Sequence, residues 1–524
     1  MNSLKDHPGK NASATFKPED TDLKKIAAAP KRLLLSAAVF GIIFAYLFKN
    51  QNFGLNILVF VLLVYGFALI NRTLFIKKTF RQEKIVTLFF MPVIFLSVYV
   101  FIGSTVLNIL SILVILFLLF LQFLVLSDNA MYLWYQPAFF LDIFYGVINR
   151  ILLGMGYFIA GSVNSLFNCR SEKKIGAIIG VLIGIIMLIL IIPILIAADA
   201  KVSMMVSQFF KNICLDDVFL YILLFFIGAS TATALVATAG RDEFTGIRKA
   251  KKSLNKRPIQ CVTMLVALSM ISVVYILFAI VQFTYFFETQ QTIVSVFGLT
   301  SSAYAVRGFG ELLFITCINF IIIAVAMRFT KLKDGRTPAY LKVLYTVLIA
   351  FNFIIMASAQ LRMQYYESAY GYTIARFLSH SFMVFLVILN VIMLLSVYIR
   401  KIKILKLVIL SALLFFCIIV ALNPELFVAR QNIERYEKTG KIDTAYLFML
   451  SGDALCEACD FAQGHPEMFD DAARDAAQAK LLWYQNMHYV GWQSLNIADK
   501  KAYSKLQHLF DINLPHLVGE VRLE

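Results

Sequence analysis

Polar and apolar positions segregate along this chain in blocks of tens of residues, not within a helical turn. Apolar runs occupy 33–48, 54–70, 85–102, 106–126, 175–198, 219–239, 259–287, 312–329, 339–359, 377–398 and 407–422. A helix needs about 17–25 residues to cross bilayer hydrocarbon, so the pattern predicts eleven spans, the first and last of them short. Pro92 and Pro193 fall inside spans, where neighbouring helices can satisfy the carbonyls a proline frees. Residues 1–31 are polar and lysine-rich and predict a disordered cytoplasmic tail. The first apolar run begins only at 33 and others follow closely, which argues against a cleaved leader.

The block pattern stops at 422–455, LNPELFVARQNIERYEKTGKIDTAYLFMLSGDAL. Residues 423–524 read as a water-soluble helical domain, with helices at 425–437, 442–450 and 499–509. Another is opened by Pro466, and proline is favourable at a first helical position. This domain holds fifteen acidic and ten Lys or Arg residues, so it is acidic while the rest of the chain is basic. The expected fold is all-α: a polytopic membrane helix bundle over 32–422 with a C-terminal extracytoplasmic helical domain over 423–524.

Composition agrees with a membrane protein. The chain is 60% hydrophobic and 15% charged, against about 25% charged in a soluble one. A formal charge of +16 would suggest nucleic acid in a soluble protein. Here the positives sit in short segments between apolar runs, so a nucleic-acid partner is set aside in favour of the lipid bilayer. Thirty-one Lys and Arg fall in the tail and in segments after every second run, for example Arg72, Lys77, Lys78, Arg81 and Lys84, or Arg400, Lys401, Lys403 and Lys406. The alternate loops carry six: Lys49, Lys201, Lys211, Arg307, Arg362 and Arg376. Positively charged loops stay in the cytoplasm. The amino terminus is therefore expected inside and, after eleven spans, the carboxy terminus outside. Residues 128–169 are apolar but interrupted by Asp142, Asn149 and Arg150, and they read as amphipathic helices at the inner interface. One more full span there would invert everything downstream and spoil the charge pattern.

Candidate chemistry is sparse. Gly176, Gly180 and Gly184, and the small residues from Gly228 to Ala234, suit close helix contact; a passage between the two thin helices is the alternative. The spans hold almost no ionisable residue. Their polar members, among them Asn319, Asn352 and Asn390, are neutral and more often bind neighbouring helices than substrate. This weighs against a pump that needs a mid-membrane carboxylate. On the outer side, Arg307 and Glu311 lie one helical turn apart in SSAYAVRGFGELL. Arg362, Glu367 and Arg376 lie in QLRMQYYESAYGYTIARF among four tyrosines. These five charges are either a shared ligand site or the docking surface for the acidic domain. Cys456 and Cys459 would lie outside, where disulfides persist. They are read as inert helix-face thiols, a local disulfide, or a metal or redox pair, without a thioredoxin-like context or standard zinc spacing. No cofactor or metal motif is visible.

SSAYAVRGFGELL, YGYTIARF, the 422–455 stretch and GWQSLNIADKKAYSKL resemble landmarks of a bacterial multi-pass membrane family. It is known as domain of unknown function 4173, with number 4153 as a relative. The resemblance covers roughly 304–506, with a looser likeness earlier in IAADAKVSMMVSQFF. It implies a bacterial cytoplasmic-membrane protein and supplies no catalytic residues. The reading that follows is a transport or envelope-associated protein with envelope or transporter partners. The alternatives are a membrane-embedded transferase, disfavoured by the absence of an acid in the first outer loop, or a sensor or scaffold.

Overall fold

The computed structural model describes residues 31–71, 80–126, 134–136, 139, 158, 162, 215–237, 259–287, 309–331, 337–399, 402–488 and 491–513. Among these, regular structure is helical apart from one isolated bridge between Ile259 and Thr330. The chain divides into two compact units: Met1–Lys49 with Val147–Ala239, and Asn50–Gly146 with Gly240–Glu524.

In the first unit, α1 (Lys31–Phe48) packs along another helix of the same unit, described over Leu215–Ala237. Their contact is close: a Cβ on Gly41 would stand 2.6 Å from the Phe225 carbonyl oxygen, and one on Gly228 2.9 Å from Phe44 Cβ. Gly228 and its small neighbours thus serve helix packing, as their spacing predicts. Gly176, Gly180 and Gly184 lie outside the described residues.

The second unit begins with α2 (Leu55–Ile70), α3 (Phe80–Ile102) and α4 (Asn108–Leu126). Taking the first unit's Leu215–Ala237 as α5 in chain order, it continues with α6 (Cys261–Phe287), α7 (Phe309–Phe329), α8 (Ala339–Tyr370), α9 (Ile374–Tyr398) and α10 (Ile404–Ala421). α8 packs on α6, α7 and α9, and α10 lies against α9 and α3. Leu268, Ile323, Ala326, Tyr345, Leu348 and Met393 are buried between α6, α7, α8 and α9. The outward faces stay apolar. Val262, Val266, Met270, Val273 and Leu277 form a stripe along α6, each more than half exposed. Such a stripe is untenable in water and ordinary against acyl chains.

Among the described residues, Lys31–Phe48, Ala339–Leu361, Ile374–Tyr398 and Ile404–Ala421 are long and apolar enough to cross a membrane, and six shorter apolar helices accompany them. The protein is a membrane helix bundle. Ten of the eleven expected spans fall on these helices. The remaining one, 175–198, lies outside the described residues, as does nearly all of 128–169.

After α10 come α11 (Pro424–Thr439), α12 (Thr444–Met449), α13 (Gly452–Gly464), α14 (Asp471–His488) and α15 (Ile497–Asn513), with single 3-10 turns at Pro466–Met468 and Trp492–Ser494. Local chemistry sets the boundaries. The Asn423 side chain caps α11 through Leu426 N, Pro424 starts it, and Gly440 ends it in the left-handed region. Asp443 caps α12. These helices share a core of Leu455, Cys459, Ala477, Leu481, Leu506 and Leu509, among others.

Candidate functional site

Two polar constructions stand out in the second unit: a junction under the C-terminal helices, and a chain of amides within the bundle.

The junction engages three separate loops. At the start of α2, Asn52 N donates to Ser494 Oγ at 2.8 Å, Ser494 Oγ donates to Gln51 Oε1 at 2.9 Å, and Leu55 N donates to Leu495 O at 2.9 Å. At the α3–α4 turn, Asn496 Nδ2 donates to the carbonyls of Val100 and Gly103, both at 2.9 Å, while its Oδ1 caps α15 through Asp499 N. At the α8–α9 turn, Asn432 Oδ1 accepts from Tyr372 N at 2.9 Å and its Nδ2 donates to Tyr372 O at 2.8 Å. Ile374 N donates to Tyr446 OH at 3.0 Å. All of these bonds are between neutral groups, and all but the Ser494–Gln51 bond engage backbone, so they fix register without a charge-burial penalty.

Ionisable groups collect where α11, α13, α14 and α15 meet. Glu425 is 5% exposed and accepts from Ser451 N at 3.0 Å and from Ser451 Oγ. Tyr484 OH donates to Asp499 Oδ1 at 3.0 Å, and Lys480 Nζ donates to Met449 O at 3.2 Å. Burial pushes the Glu425 carboxyl above the usual carboxylate range, against the lowering effect of the Ser451 bonds and Lys480. Burial likewise pulls Lys480 down despite Glu425 and Asp499 nearby, and raises Tyr484. Desolvation therefore outweighs attraction for both members of the Glu425–Lys480 pair.

This has a pH consequence. A carboxyl that holds its proton more tightly when folded favours the folded state at low pH. That contribution is lost as pH rises from the ordinary value through the raised one. Glu425→Gln, which imitates the protonated acid, should melt above the wild type at about pH 8 and lose that advantage at about pH 4. Equal melting shifts at both pH values would mean that Glu425 does not titrate in a buried setting.

The amide chain crosses four helices. Tyr275 OH (α6) donates to Asn319 Oδ1 (α7) at 2.5 Å, Asn319 Nδ2 to Asn352 Oδ1 (α8) at 2.8 Å, and Asn352 Nδ2 to Asn390 Oδ1 (α9) at 2.9 Å. Asn390 Nδ2 closes it on Leu386 O at 2.8 Å. All three asparagines are at most 1% exposed. Every link points the same way, so one donor and one acceptor of each amide are satisfied.

The five charges expected to share a site are only partly within view. Arg307 lies outside the described residues. Glu311 and Arg362 have described backbone on α7 and α8 but no described side chain. Glu367 is buried, with Oε2 2.9 Å from His380 Nε2. That nitrogen satisfies no hydrogen bond, so the two atoms are close without hydrogen-bond geometry. His380 Nδ1 lies 3.0 Å from Gln360 Oε1. Arg376 Nη1 donates to Gly371 O. Glu367 and Arg376 thus flank the same turn, each with its own partner, and that turn is one of the three contacted by the C-terminal helices. Cys456 and Cys459 are free and buried in the C-terminal core. Burial raises the Cys456 thiol and pushes Cys459 up to about 12, which disfavours thiolate chemistry at neutral pH.

Sequence reading passed over Lys480, Tyr484 and Asp499, which sit on amphipathic helices like any solvated charge. Glu425 and Asp453 fall in the 422–455 stretch where the apolar blocks end. The placement of Glu425 directly after an apolar run was the available signal that it sits against the bundle.

Residues 90–458 match the family described as domain of unknown function 4153. The match starts well before the region of sequence resemblance and falls on 4153, the relative named there. No curated protein and no solved structure matches the chain.

Proposed function

The chain belongs to the DUF4153 family, and from that premise we propose that it is an envelope-associated protein of a bacterial cytoplasmic membrane. In this reading eleven spans, amino terminus inside, hold the acidic C-terminal domain (423–524) as a fixed platform on the outer face for an envelope or transporter partner. The observation that carries it is the junction. The loops after expected spans one, three and nine all bind the helices that follow span eleven. Odd-numbered loops share one face, so the contacts support the parity that the positive charges require. Three separate latches also favour a domain held in place over one that swings. Glu367 and Arg376, at the α8–α9 turn, would then lie at the rim of this platform.

The second reading, transport, draws on the Asn319–Asn352–Asn390 chain, a polar line within apolar helices. One experiment separates the two. In an Asn52→Cys, Ser494→Cys variant, a membrane-impermeant bis-thiol reagent added to intact cells should cross-link the pair. The cross-linked protein should still complement a deletion. No cross-linking by the impermeant reagent would overturn the outward placement. Cross-linking with loss of complementation would favour a moving, gating domain.

A further inference from the structure

A cavity of about 330 Å³ opens between α3, α4, α10 and the side chains of Trp134 and Phe139. Its lining is wholly apolar: Phe89, Leu118 and Leu121 on one side, Ala412, Leu413 and Phe416 on the other, with Trp134 and Phe139 closing it. Known ligand pockets begin at about 300 Å³. The α10 residues that line it run from Ile409 to Phe416. With a rise of about 1.5 Å per residue, they lie roughly 8–18 Å along the helix from its start at Ile404. That depth is comparable to one leaflet of a hydrocarbon core about 30 Å thick. The groove therefore lies at a depth that acyl chains occupy in one leaflet.

Lipid tails are as apolar as leucine, so a greasy wall cannot by itself select a lipid. The head end can. Trp134 meets Phe89 edge to face at 5.4 Å and Tyr135 at 5.5 Å. Tyr135 in turn binds Lys403: Nζ donates to its hydroxyl at 2.8 Å and stands 4.5 Å from its ring centre. Lys403 is exposed, immediately precedes α10, and is followed one turn later by Lys406. An ammonium has three donors, so the tyrosine bond leaves capacity for a phosphate. Trp, Tyr and Lys at a helix end are the usual chemistry of the membrane boundary, and basic pockets between spans bind anionic head groups.

We propose that this groove holds an acyl chain of an anionic phospholipid whose phosphate is bound by Lys403. The inference needs the bundle to sit in a membrane, not a particular orientation.

The chain has three tryptophans, and Trp483 and Trp492 are exposed. Changing both to Phe leaves Trp134 as the sole tryptophan, excited selectively over tyrosine, in the full-length protein. It is reconstituted in phosphatidylcholine vesicles containing a small fraction of lipid with brominated tails, either phosphatidylglycerol or phosphatidylcholine. Brominated phosphatidylglycerol should quench Trp134 several-fold more than brominated phosphatidylcholine at equal mole fraction. Lys403→Gln should abolish that preference and Lys403→Arg retain it, while Ala412→Phe should reduce quenching by both lipids. Equal quenching by the two lipids in the parent would overturn the charge recognition, as would a preference that survives Lys403→Gln. No quenching by either lipid, or parental quenching in a folded Ala412→Phe variant, would overturn the placement of the tail.

Discussion

Gly452→Ala should loosen the C-terminal helices from the bundle at a cost of about 2–5 kcal/mol. Gly452 sits at φ +56, where an L residue is strained by roughly 1–2 kcal/mol. Its missing Cβ would also stand 2.7 Å from Ser104 Cβ and 2.9 Å from the Ser104 carbonyl oxygen, with Ala498 Cβ at 3.2 Å. Neither the backbone oxygen nor a Cβ can swing aside, so overpacking adds about 1–3 kcal/mol. Gly440 is the internal control. It has a similar φ of +66, and a Cβ there meets nothing within 4 Å. Gly440→Ala should therefore show the backbone cost alone. The measurement is the melting temperature together with protease sensitivity of the segment after 422. Equal destabilisation by the two variants would contradict the packing of α13 on the α3–α4 turn.

Asn352→Leu should destabilise the bundle by about 1–3 kcal/mol, more than a change at either end of the amide chain. It removes two interhelical bonds and strands Asn319 Nδ2 and Asn390 Oδ1 in a buried setting. Such bonds between membrane helices are worth about 0.6 kcal/mol on average and up to about 1.7. An orphaned buried group costs about 1–3 kcal/mol. The effect of orphaning is separable from that of bond loss. Replacing Asn319, Asn352 and Asn390 together by Leu leaves fewer stranded amide atoms, so the triple variant should cost less than the sum of the three singles. Additive losses would mean that the amides act independently and that the chain is not a cooperative connector.

Burial decides the other polar groups too. The surface pairs Arg430–Glu457 and Lys438–Glu434 are close, at 2.7 and 2.6 Å, yet exposed pairs contribute only about 0–1 kcal/mol. The neutral contacts of Asn432 and Asn496 are buried and directional, and they position the C-terminal helices.

Block hydropathy by itself determined that this is an all-α membrane protein whose last hundred residues are of a different kind. Crossing hydrocarbon demands long apolar runs, and that demand is local in sequence. The neutrality of the span interior was equally legible, and with it the reading of Asn319, Asn352 and Asn390 as helix-binding groups. Their linkage into one directed chain was not, because those residues lie 33 and 38 positions apart, and no local pattern fixes which helix faces which. The same holds for the junction. Glu425, Lys480 and Asp499 look like solvated charges on amphipathic helices until tertiary packing withdraws water from them. The groove closed by Trp134 joins α3 to α10 across more than three hundred residues. Only tertiary structure could create it, since a cavity is the space that side chains from distant segments fail to fill.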